Sequence, residues 1–237
     1  MTLVLLHALG TDRHMWDPVL EHLDGDVLAL DMPGFGDAPP LEGEAVTPRG
    51  LAAAIHRRLD GERPHVAGNS LGGWVALEMA LAGWARSVTA IAPAGLWAQP
   101  LRPMRSRARV AARAASPLLP GLLRTERGKR AALGGTIAHP ERVPYAAALS
   151  LVRAYANAPG FDAVNDGMRA GRFRGLLELD VPLTLAWPEH DRLVARPREV
   201  PASAQEFVLH GCGHMPTWDD PEQVALVLSA GSMYRFA

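Results

Sequence analysis

A ten-residue stretch, PHVAGNSLGG at positions 64–73, limits what this chain can fold into more than any other. Residues 65–67 form a short apolar run that predicts a buried strand, and residues 71–82 (LGGWVALEMALA) carry helical periodicity. Ser70 therefore falls where strand becomes helix. Gly68 and Gly72 complete the spacing G-x-S-x-G, whose glycines leave room for a turn too tight for neighbouring side chains, and Gly73 widens that clearance. A serine presented on such a turn is a candidate nucleophile. The competing reading is a glycine-rich turn in which Ser70 only caps the helix, accepting bonds from free backbone N–H groups.

The remaining chain supplies more units of the same kind. Residues 2–6 (TLVLL) predict a strand buried on both faces of a parallel sheet, followed by the loop His7-Ala8-Leu9-Gly10. Residues 15–23 (MWDPVLEHL) predict a helix with Trp16, Val19, Leu20 and Leu23 on one side and Pro18 in its first turn. Residues 26–30 predict a second strand, closed by the breaker-rich loop 31–37 (DMPGFGD), where Asp31 is expected to bond loop backbone. Thr47 and Pro48 open a helix that runs to about Leu59, with Gly61 just beyond its end. Residues 87–92, 181–187 and 205–210 predict three further strands. Asp220-Pro221-Glu222-Gln223 starts a final helix, with Asp220 as cap and Gln223 placed to close a capping box.

Between residues 98 and 170 the strand signals stop, and Ala, Arg, Leu and Pro alternate in short helical pieces, residues 102–115 and 145–156 among them. The expected organisation is an α/β core over 1–97, a helical cap insertion over 98–170 and the core resumed over 171–237. Strand–helix alternation outside the insertion implies a mostly parallel sheet with helices on both faces.

A chain of 237 residues buries a full core without a metal or disulfide staple. Its formal charge of −1 lacks the basic excess of nucleic-acid and anionic-membrane binders, so the expected partner is a small molecule. Cys212 is the single cysteine, the start MTLVLLHALG lacks a basic n-region, and no apolar run reaches the roughly 18 residues of a membrane helix. A cytoplasmic protein is expected.

A serine hydroxyl needs a base to take its proton as it attacks, and histidine suits that work; a carboxylate then fixes the histidine tautomer. In an open parallel sheet these groups sit just beyond the carboxyl ends of strands. Asp191 follows the strand ending at Trp187, in WPEHD, and His214 follows the strand ending at His210, in GCGH. Glu189 and Asp166 are competing carboxylates; Glu189 precedes the expected loop position and Asp166 sits at the exit of the insertion.

Taken together, LVLLHALGTDRHMW, DMPGFGDAP, VAGNSLGGWVALEMA, LAWPEHDRLV and GCGHMPTWDDPEQV resemble the α/β-hydrolase superfamily, and HALGTDRHMW is most similar to its enol-lactonase and carboxylesterase branch. The resemblance implies an α/β-hydrolase fold with a Ser70, Asp191, His214 triad in the family's chain order and oxyanion donors at the backbone N–H groups of Leu9 and Leu71. It also implies a serine hydrolase acting on a small ester, lactone or thioester, without a cofactor. Cleavage of a carbon–carbon bond in a diketone by the same triad is the first alternative, and a ligand-binding receptor or inert scaffold is the second. An aspartate elbow marks the epoxide hydrolase and haloalkane dehalogenase branches, so Ser70 argues against those chemistries. The family's N-terminal antiparallel hairpin is missing before the first strand, and dimerisation is one way to shield the sheet edge it would cover.

Several residues carry two readings. Trp97, Trp187 and Trp218 lie near the catalytic loops and either line a substrate pocket or pack the core. His7 is expected to brace its loop through both ring nitrogens. Cys212 between glycines is read as a small buried residue, and the Glu189-His190-Asp191 run as no metal site. Arg102, Arg105, Arg107, Arg109, Arg113, Arg124, Arg127, Lys129 and Arg130 crowd the insertion; most are expected to be solvated, with one or two guiding a carboxylate-bearing substrate.

Overall fold

The computed structural model describes residues 2–41 and 46–232; residues 233–237 of the second core segment lie outside them. Six strands form one sheet: β1 (Leu3–Leu6), β2 (Val27–Leu30), β3 (His65–Asn69), β4 (Ser87–Ile91), β5 (Leu183–Pro188) and β6 (Gln205–Leu209). They lie in the order β2-β1-β3-β4-β5-β6, with every pairing parallel. The chain winds outward from β1 to β2, then returns to the other side of β1 to begin β3. β1 and β3 therefore flank the point where strand order reverses, and the crevice beyond their carboxyl ends is where such sheets bind ligands.

Alternate residues of each strand feed two cores. Val4, Leu6, Val66, Leu183 and Leu185 face one cluster, shared with α2 (Pro48–Arg58) and α3 (Leu71–Leu81). Leu3, Leu5, Ala67 and Ala186 face the other, shared with the first helical turns and α9 (Pro221–Ser232). This two-residue alternation is the strand pleat expressed as packing, and it covers the sheet on both faces.

The expected helix over residues 15–23 is much shorter. Asp12 accepts a bond from the His14 N–H and starts a 3-10 turn at Arg13–Trp16; α1 then spans only Asp17–Leu20. Beyond it, the N–H groups of His22 and Leu23 bond three residues back, at 3.0 and 3.3 Å, which tightens and ends the helix. The Thr47 hydroxyl caps α2 by accepting from the Gly50 N–H at 3.1 Å, as the sequence implied.

Between β4 and β5 the described chain is helical, with α4 (Arg107–Ala114), α5 (Leu119–Leu122), α6 (Glu126–Leu133), α7 (Tyr145–Asn157) and α8 (Phe161–Ala170). Helix α4 begins five residues later than the pattern suggested, because Ser106 caps it by accepting from the Arg109 N–H. The arginines need one correction. Arg109 is not solvated: it is 4% exposed, its guanidinium donates to the carbonyls of Tyr155 and Ala158 and to Asp162, and it lies over the Phe161 ring. It satisfies carbonyls left free where α7 ends, so it joins α4, α7 and α8, and its guanidinium is held inside the insertion. Arg102, Arg105, Arg107, Arg113, Arg124, Arg127 and Arg130 are exposed, while Lys129 is half-buried. No helix among the described residues is long and apolar enough to cross a membrane.

Candidate active site

Ser70 joins β3 to α3 with φ 55° and ψ −113°. A non-glycine residue there costs on the order of 1–3 kcal/mol and persists only where its surroundings fix it. They do so here: the Ser70 N–H donates to Ile91 O at 2.9 Å, and the Trp74 and Ala94 N–H groups donate to Ser70 O at 3.1 and 3.0 Å. The glycines are required by contact. A Cβ on Gly68 would lie 2.2 Å from the Gly72 carbonyl carbon, and one on Gly72 would lie 2.2 Å from Leu6 O. The Ser70 side chain makes no capping hydrogen bond, so the reading of a simple helix cap loses its support.

Beyond β5 and β6, Asp191 and His214 meet. His214 Nδ1 lies 2.8 Å from Asp191 Oδ2, both side chains being at most 6% exposed. Asp191 Oδ1 accepts from the Leu193 and Val194 N–H groups at 2.7 and 3.2 Å. Burial raises the Asp191 pKa, but the His214 bond, the His214 charge and those two N–H groups together bring it below the usual carboxylate value. An ionised carboxylate only accepts, so Nδ1 of His214 carries a proton and donates it to Asp191. The competing carboxylates are occupied elsewhere: Glu189 accepts from the Gly211 N–H, and Asp166 lies on α8 beside Asn165.

Asn69 and Asp219, which sequence patterning did not single out, and Gln223, read there only as a helix-capping residue, hold the loops of this pair in place. Asn69, fully buried, donates through Nδ2 to Ile91 O at 3.1 Å and to His214 O at 3.0 Å. The residue before Ser70 thus anchors the backbone of the histidine. No hydrogen bond joins Ser70 Oγ to the His214 ring among the described residues, an arrangement common before substrate binds. Asp219 gathers three backbone donors, Ala138 and Gly213 on Oδ2 at 3.0 and 2.8 Å and His139 on Oδ1 at 2.8 Å. Together with the bond from Met215 N–H to Thr136 O at 2.8 Å, it ties both neighbours of His214 to the helical segment. Asp220 caps α9 as expected by accepting from the Gln223 N–H at 2.9 Å, but Gln223 does not close the box: the Asp220 N–H goes to Pro216 O, and the Gln223 amide donates to and accepts from the His210 backbone at 3.1 and 3.0 Å.

Leu9 follows β1 and Leu71 follows β3, the two strands that flank the reversal of strand order. The Leu71 N–H is in the first turn of α3 and has no intrahelical acceptor, and the Leu9 N–H has no acceptor among the described residues. His7 fixes the Leu9 loop. Its Nε2 accepts from the Met32 N–H at 3.0 Å, so its Nδ1 carries the proton and donates to Ala8 O at 2.8 Å. Complete burial lowers its pKa from 6.5 to about 4, against smaller raising effects of the Ala8 bond and the Asp31 charge. Asp31 bonds loop backbone as expected, accepting from the Arg13 and Asp37 N–H groups at 2.7 and 3.0 Å.

The three tryptophans are built into different surroundings. Trp97 donates to Gly171 O at 2.9 Å and packs edge-on to Trp74, Trp187 donates to Glu206 at 2.9 Å, and both belong to the α2–α3 side of the sheet. Trp218 packs on the opposite side. Of two cavities, one of about 520 Å³ lies between Asp12, the Gly36–Asp37 loop and α7, and one of about 240 Å³ is lined by His214, Gly213, His190, Arg192 and residues 134–138. Cys212 is fully buried, and burial, with the Asp219, Asp220 and Glu189 charges, pushes its thiol up to about 12. Among the described residues no three His, Cys, Asp or Glu side chains are grouped to hold a metal ion.

A parallel sheet with a strained serine turn after one strand and a histidine–aspartate pair beyond two others defines an α/β hydrolase. A sequence profile of the alpha/beta hydrolase family matches residues 3–226, and the chain belongs to that family. It is 31% identical to epoxide hydrolase EphH of Mycobacterium tuberculosis (strain ATCC 25618 / H37Rv) over 200 residues, covering 76% of this chain and 92% of that one. Over 81 residues it is 41% identical to the pimeloyl-(acyl-carrier protein) methyl ester esterase of Neisseria meningitidis serogroup B, covering 32% of this chain and 29% of that one. The fold also superposes on the enol-lactonase from Burkholderia xenovorans LB400 with a TM-score of 0.72 at 21% identity, over 97% of this chain and 90% of that one.

Proposed function

We propose that the protein is a serine hydrolase that cleaves a small carboxylic ester, lactone or thioester through an acyl-enzyme. His214 Nε2 takes the Ser70 proton as Oγ bonds to the substrate carbonyl carbon, and the N–H groups of Leu9 and Leu71 receive the negative oxygen. The bond to the leaving group then breaks, and the departing atom takes the proton from His214. Water repeats the sequence on the acyl-enzyme, releasing the acid and restoring Ser70. Asp191 holds the His214 tautomer throughout.

The observation that carries this reading is the strained Ser70, whose hydroxyl makes no capping bond, following an Asn69 that holds the backbone of a histidine whose Nδ1 is bonded to a buried carboxylate. The likeness to an epoxide hydrolase suggests a second substrate class, which the elbow chemistry disfavours. A serine oxygen that opened an epoxide would be left as an ether, and a triad built to attack carbonyls has no means to release it.

A panel of p-nitrophenyl esters of rising chain length, with a lactone, a diketone and an epoxide, tests the assignment. Ester or lactone turnover is expected, with Ser70 labelled by a fluorophosphonate. Ser70→Ala should remain folded and lose both signals. Wild-type rates in Ser70→Ala, or turnover of the epoxide alone, would refute the assignment.

A further inference from the structure

In the reaction above His214 hands its proton to the departing oxygen, so the leaving group must lie against the His214 ring. The cavity of about 240 Å³ is lined by His214, though not by Ser70 or Asp191, while none of the three lines the larger one. Its other side chains of chemical interest, His190 and Arg192, flank Asp191 on the loop beyond β5. The carboxylates of this region already have partners. Asp191 is bonded to His214, Leu193 and Val194, Asp219 holds three backbone N–H groups, and Glu189 holds the Gly211 N–H beside the His210 ring. Arg192 has no such partner: among the described residues its guanidinium makes no hydrogen bond or ion pair. A cation without a counter-ion, lining the same cavity as His214, is placed to receive an anion carried by the departing group.

We propose that this cavity is the leaving-group subsite and that Arg192 selects alcohols bearing a carboxylate. The proposal rests on the serine-hydrolase reading of Ser70 and His214. A guanidinium fork matches the two carboxylate oxygens, and the volume suits a short hydroxy acid better than a long chain. It also moves acid recognition from the cap helices, where Arg109 is consumed internally, to the strand-end loop that positions the base.

The test compares O-butyryl glycolate with O-butyryl glycolamide, which share acyl group and shape and differ in charge. The kcat/KM ratio of acid to amide is expected to exceed one, to shrink with added salt, and to fall about tenfold in Arg192→Gln. Arg192→Lys, which keeps the charge, should retain most of the preference, and Arg105→Gln on the exposed cap should leave the ratio as it is. An unchanged ratio in Arg192→Gln, or a ratio that falls instead in Arg105→Gln, overturns the proposal. Turnover of both esters without preference removes the subsite and leaves the hydrolase reading standing. Turnover of neither, with Ser70 unlabelled, removes both.

Discussion

Acid should weaken this protein through His7, by an amount that follows from its burial. The folded state holds the ring neutral, because complete burial lowers its pKa to about 4 and because a proton on Nε2 would face the Met32 N–H, donor against donor. The unfolded chain takes up that proton below about 6.5. Between those values the unfolded state binds more protons, so stability is lost as pH falls through the window. Going from pH 7 to pH 5, the His7 contribution amounts to about 2 kcal/mol. The assay is urea denaturation of the wild type and His7→Gln at both pH values. His7→Gln starts less stable, but it should lose about 2 kcal/mol less between them. Titrating carboxylates are common to both proteins and cancel in the difference. Equal losses would show that the ring is not held neutral, and the bracing of the Leu9 loop would have to be redrawn.

Two further outcomes follow from contacts around the serine and the histidine. Gly72→Ala would push a Cβ to 2.2 Å from Leu6 O, a backbone atom that cannot yield, whereas Gly73→Ala meets Gly68 O and Pro93 at 3.1 Å. Urea titrations should find the first destabilised by about 3 kcal/mol and the second by clearly less, with fluorophosphonate labelling lost only in the first; equal effects would contradict the close approach. Asp219→Asn leaves one acceptor oxygen for three N–H groups and turns an amine toward at least one of them. It should cost about 1–3 kcal/mol in thermal or urea unfolding and slow Ser70 labelling, and an unaltered labelling rate would mean that the Asp219 bonds do not position His214.

The strands and the loops that follow them were legible because a buried parallel strand is written as a continuous apolar run and its loop as a burst of Gly, Pro and Asp. The G-x-S-x-G turn was legible because contact alone forbids side chains at Gly68 and Gly72. The first helix was overextended, since apolar spacing at Trp16, Val19, Leu20 and Leu23 says nothing of the Asp12 cap that starts the turn early. Arg109 was hidden for a different reason. Its place among the exposed arginines of the insertion is indistinguishable by composition, and only the carbonyls at the end of α7 show why it is inside. Asn69, Asp219 and Gln223 act on backbone groups brought near by the fold, in one case 145 residues away, and no local pattern encodes such a partner.

Asn69 has one more implication. Because a single amide holds both the carbonyl that ends β4 and the carbonyl of His214, the Ser70 turn and the histidine loop are joined at the sheet edge across 145 residues of sequence. The helical segment reaches His214 by a second route, through the Asp219 carboxylate and the bond from Met215 to Thr136, so an exchange of the helices leaves the histidine in place only where residues 136–139 are kept.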